Sequence, residues 1–125
     1  MSVMAKTLEA KKTPEKKTRI MNVLRTVPYS SGFHFYTELE KYTGITATSI
    51  DEFSAKLQII PLESVVFHFQ RDDFQKWLRI TLGEEELAQR IDQMKKWPSW
   101  SSDEDLRKEL VKTVQKRLSE LRTPT

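Results

Sequence analysis

The chain has no cysteine. Disulfides, thiolate metal sites and a cysteine nucleophile are therefore excluded, and a reducing cytoplasm is the expected setting. There are only three glycines in the whole sequence. Phosphate-cradling loops need glycine where the backbone closes on the anion, and no Gly-rich nucleotide motif is present. The two histidines, His34 and His68, show no metal-ligand spacing to carboxylates, so neither a zinc site nor another cofactor is expected. Apolar runs are only a few residues long, and the start, MSVMAKTLEAKK, carries no segment of signal-peptide length. A membrane span and a secretory leader are not expected.

What is present is charge. Lysine, arginine, aspartate and glutamate make up 31% of the 125 residues, a composition that suits a soluble and thermophile-like protein of one domain. The formal net charge of +3 is unevenly divided: residues 1–19 carry +4 and the remainder −1. Residues 1–18 lack periodic apolar positions and contain KKTPEKK, with Pro14 in its middle. Such a segment cannot bury enough surface to offset its ordering entropy, so it reads as a disordered basic tail, and residues 19–125 as a single helical domain.

Within that domain Ile20, Val23, Leu24 and Val27 stand at helical spacing before Pro28. Over residues 33–42, Phe33 and Phe35 alternate like a strand, whereas Phe35, Leu39 and Tyr42 share a helical face that Gly44 would close; helix is the preferred reading. Ser49 and Glu52 form a capping box, followed by the stripe Ile50, Phe53, Leu57 and Ile60. Pro61 ends that helix, and Leu62, Val65, Val66 and Phe69 face the core from the next. The spacing then breaks, because Phe69 to Phe74 is five residues. Asp72 offers a fresh cap there, with Gln75 three residues on. Phe74, Trp77, Leu78 and Leu82 form the next stripe up to Gly83, and Leu87, Ile91 and Met94 the one after. Ser102 caps the last helix, whose stripe is Leu106, Leu110, Val114, Leu118 and Leu121. The expected fold is all-α, a single compact bundle of five to six short helices.

Two places carry candidate chemistry. Around the break, His68, Arg71, Asp72 and Asp73 set an imidazole beside carboxylates and a cation, the ingredients of an acid–base site. Helix caps and packing already account for most of these residues, so the structural reading is preferred and no catalytic residue is assigned. In MKKWPSW, Lys95 and Lys96 interleave with Trp97 and Trp100, a combination able to stack on bases or anchor a partner protein. Lys11, Lys12, Lys16 and Lys17 of the tail could contact phosphates.

The stretches YTGITATSIDEF, PLESVVFHFQRDDFQKW and LGEEELAQRI together resemble a family of small archaeal and bacterial proteins known only as a domain of unknown function. The likeness spans about residues 33–92 and centres on Thr43, Gly44, Ser49, Phe53, Ser64, His68, Arg71, Asp73, Phe74 and Trp77. It implies no activity. The functional expectation is a small cytoplasmic, non-enzymatic helical module that binds another protein or assembly. The alternative is a nucleic-acid or ribonucleoprotein binder using the tail and the Lys95–Trp100 corner, and a small enzyme centred on His68 ranks third.

Overall fold

The computed structural model describes residues 15–123. Helix α1 covers residues 15–23, so residues 15–18, which the sequence placed in the tail, are helical. The rest of the expected tail, including Lys11 and Lys12, lies outside the described residues. After a single 3-10 turn at Tyr29–Ser31 come two antiparallel strands, β1 (Phe33–Glu38) and β2 (Lys41–Ala47). Then follow α2 (Ile50–Leu57), α3 (Leu62–Gln70), α4 (Asp73–Lys76), a π-helical stretch (Trp77–Leu82), α5 (Glu85–Lys96) and α6 (Asp103–Arg122).

The hairpin corrects the all-helical expectation: the fold is α+β. Alternation wins over the helical face because aromatic and β-branched residues fill both strands. It sends Phe33 and Phe35 into the core, 5% and 0% exposed, and turns His34 and Tyr36 to the other face. The register pairs Phe33 with Ala47, His34 with Thr46, Tyr36 with Tyr42 and Glu38 with Lys41, with irregularities on either side of Tyr36. Leu39 and Glu40 make the turn, and Glu40 bears its left-handed φ of 65°. Gly44, expected to close a helix, sits inside β2 at φ 86°.

The helices follow the apolar stripes. Ile50, Phe53, Leu57 and Ile60 are buried, as are Leu106, Leu110, Val114, Leu118 and Leu121 along α6. Ser49 accepts from the Glu52 amide at 3.2 Å, while the Glu52 carboxylate reaches one residue further back than a capping box predicts, to the Thr48 amide at 2.8 Å. Ser102 caps α6 at 3.1 Å, and Gly83 ends the π-helical stretch at φ 75°. From α6, Arg107 donates to the carbonyls of Leu57 and Ile60 at 3.2 and 2.6 Å, satisfying acceptors that the end of α2 leaves open.

The break between Phe69 and Phe74 is present, but its chemistry differs from the expected cap. Asp72 stands at φ 62° and makes no side-chain cap bond to α4. Its Oδ1 instead accepts from Lys95 Nζ at 2.8 Å and Gln75 Nε2 at 3.3 Å, tying the joint to α5. A left-handed residue breaks the helix between α3 and α4, and aspartate and asparagine tolerate that conformation best after glycine. Asp72→Asn should therefore leave the melting temperature nearly unchanged. Asp72→Val should lower stability by about 1–2 kcal/mol through backbone strain. Equal effects in a denaturation series would show that handedness does not matter at this joint.

Candidate functional site

The turn at Asp72 folds Asp73, the first residue of α4, back against the last turn of α3, where His68 and Arg71 lie. His68 Nδ1 is 2.8 Å from Asp73 Oδ2, and Arg71 Nε donates to the same oxygen at 3.0 Å. On the other side of the imidazole, the Tyr36 backbone amide of β1 lies 2.8 Å from Nε2. A backbone amide can only donate, so Nε2 must be the bare acceptor and Nδ1 carries the hydrogen given to Asp73. The tautomer is thereby fixed and the ring is neutral. Phe33, Phe67 and Phe74 surround it at centroid distances of 4.7, 5.0 and 5.8 Å, and the residue is only 4% exposed. Burial pushes the imidazole below its ordinary range, although the bond and charge of Asp73 oppose the shift.

This geometry brings together His68, Arg71 and Asp73, while Asp72 turns its carboxylate to Lys95 and Gln75 instead. Trp77, on which the family likeness also centres, donates its indole N–H to the Ser31 carbonyl at 2.9 Å and so holds the turn that leads into β1. Both ring nitrogens of His68 are engaged by groups of the protein itself. The cluster joins three elements: β1, α3 and α4.

Directly outside the joint, the hairpin turns a polar aromatic face outward. His34 Nδ1 and Thr46 Oγ1 are 2.7 Å apart, Tyr42 bonds to the same Thr46 hydroxyl, and the Tyr42 and Tyr29 hydroxyls meet at 2.9 Å. The rings pack as well: Tyr29 to His34 at 5.0 Å, His34 to Tyr42 at 5.9 Å and Tyr36 to Tyr42 at 5.5 Å. Tyr29, Leu39 and Tyr42 remain 61%, 69% and 40% exposed. Between this face and α3 lies an open hollow of about 420 Å³, walled by Tyr36, Leu39 and Phe67, with Arg71 and Glu40 on its lining. Arg71 holds its guanidinium 5.0 Å from the centre of the Phe67 ring.

Sequence reasoning missed Tyr29, Leu39 and Tyr42 as surface residues. The signal for them was the alternation at Phe33 and Phe35, which, read as a strand, places His34 and Tyr36 together on the outer face. The Lys95–Trp100 corner is divided. Lys95 donates to the Gln70 carbonyl at 2.9 Å and to Asp72, and Trp100 packs edge-on against Phe69 at 5.3 Å. Lys96 lies 5.8 Å from the Trp97 ring, and that tryptophan is 67% exposed. Lys16 and Lys17 sit on α1. Among the described residues no cluster of three or more His, Cys, Asp or Glu side chains could hold a metal ion, and no helix is long and apolar enough to cross a membrane.

Comparison with curated proteins and with solved structures finds no match. A family model does match, over residues 9–115, which takes in the hairpin, the His68 joint and most of α6: the chain belongs to a family of unknown function, DUF5752.

Proposed function

We propose that this chain is a cytoplasmic protein-binding module whose recognition surface is the outward face of the hairpin together with the hollow beside α3. One observation carries the reading. Exposed Tyr29 and Tyr42 lie on the outer face of the hairpin, and Tyr36, exposed Leu39 and Phe67 wall the hollow beside it, whereas the ring nitrogens of His68 are occupied in holding the fold together. Tyrosine and arginine are the side chains that most often anchor protein interfaces, because each combines a broad apolar body with a polar tip. The hydroxyl chain from Tyr29 to Thr46 pre-orders the rings, so a partner meets a surface that has already lost much of its side-chain entropy. The nucleic-acid reading is weakened by the internal engagement of Lys95 and Trp100.

Photo-crosslinking tests this placement. Benzoylphenylalanine at Tyr42 or Leu39 should capture the same discrete partner in host cells, and at Gln115, exposed on α6, should not. Capture that is equal at all three positions, or absent from the two hairpin positions, would place recognition elsewhere.

A further inference from the structure

The charges around the hollow say what kind of partner fits. Phe67 is half-buried on α3 and walls a second, adjacent hollow of about 310 Å³ that opens between Thr37, Glu63 and Asp103. The acids on these two hollows that have no ion-pair or hydrogen-bond partner among the described residues are Glu40, Glu63 and Asp103. The neighbouring cations are already matched, Arg71 by Asp73 and Lys41 by Glu38. Glu63 and Asp103 lie in the first turns of α3 and α6, where a carboxylate complements the helix dipole. That dipole supplies only about half an elementary charge at each end, so about half of each carboxylate's charge is left uncompensated by it. Glu40, at the hairpin turn, has no helix to complement at all.

We propose that the occupant of this surface is a basic protein segment, with lysine or arginine interspersed among apolar residues, seated on Phe67 between Glu40, Glu63 and Asp103. The proposal rests on the binding-module reading above and names its partner's chemistry. The chain's own Arg71 shows the mode of contact, a guanidinium over the Phe67 ring with a carboxylate beside it. Three acids without a partner among the described residues disfavour the competing occupant, because a phosphate backbone would meet like charge beside Phe67. Strand addition is disfavoured too: Gly44 stands at φ 86° inside β2, and the pairing is irregular on both sides of Tyr36, so the hairpin lacks the regular backbone that a flat edge needs.

The test is fluorescence polarisation of the full chain with three labelled probes: a nonapeptide alternating Lys or Arg with Leu or Phe, its Glu/Asp counterpart, and single-stranded DNA of similar length. The basic peptide should bind saturably and weaken as salt is raised, and the acidic peptide should not bind. Joint reversal of Glu40→Lys and Glu63→Lys should reduce its affinity at least about tenfold, while Glu109→Lys changes it little. Phe67→Leu, which keeps apolar bulk but removes the ring, should weaken binding several-fold and so separate a seat from diffuse attraction. The proposal is overturned if the basic peptide fails to bind, if the paired reversal is silent, or if DNA binds in a manner that depends on Glu40 and Glu63. Site-specific crosslinking at Tyr42 that survives such a failure would leave the binding-module reading standing and remove only the basic segment.

Discussion

Glu84→Ala should lower the stability of the fold by about 3 kcal/mol, because it removes both the buried cap of α5 and the nearer of the two carboxylates that Arg117 holds. Glu84 is 3% exposed and makes two sets of contacts. One carboxylate oxygen accepts from the Leu87 amide at 2.5 Å and starts α5; the other accepts from Arg117 Nε and Nη2 at 3.1 and 2.8 Å. Arg117 also bonds to Glu120, which in turn pairs with Arg90, so the α5–α6 seam is held by one connected network. Removing Arg117 leaves the buried Glu84 carboxylate without its cation, whereas removing both ends of a buried pair in favour of apolar side chains is often close to neutral. Chemical denaturation of Glu84→Leu, Arg117→Leu and the double variant carrying both should show the double change costing less than the sum. Simple additivity would mean that the pair is not coupled.

His68→Ala should cost about 3 kcal/mol, from the cavity left among three phenylalanine rings and from the Tyr36 amide left without an acceptor. Wild-type stability should also fall in acid for a reason traceable to this ring. Its pKa is depressed in the folded state, so below the unfolded value of about 6.5 the unfolded chain binds the proton more readily. The contribution of His68 is thus fully present at neutral pH and is lost as pH drops from there through the folded pKa. A second proton would place an N–H against the Tyr36 N–H, two donors facing one another. Urea denaturation at a series of pH values, comparing wild type with His68→Gln, should show a steeper acid loss in the wild type. Parallel curves would mean that the imidazole is not held neutral by the fold.

Features set by neighbours in sequence were readable in advance. Ser49, Ser102 and Gly83 start or stop their elements because capping acts over three or four residues. The α6 stripe is buried because its spacing matches the helical repeat. The hairpin was misread for a specific reason. Its turn uses Leu39 and Glu40 rather than the glycine or asparagine that a left-handed φ favours, and Phe35, Leu39 and Tyr42 happen to fall at helical spacing. The five-residue interval after Phe69 located the joint, but not the handedness of Asp72, because an aspartate serves equally as a cap and as a left-handed residue. The decisive partners were out of reach of local pattern. Tyr36 is 32 positions from His68, and Arg117 is 33 from Glu84.

The central claim is that His68 is a structural joint, leaving the hairpin face above it for binding. Nitrogen-15 spectroscopy of the His68 ring at neutral pH tests this most directly. The account predicts a neutral imidazole protonated at Nδ1, with Nε2 unprotonated, and a slowly exchanging Tyr36 amide. An imidazolium, or the tautomer protonated at Nε2, would contradict it, since either leaves the Tyr36 amide without its acceptor and frees the ring for other chemistry.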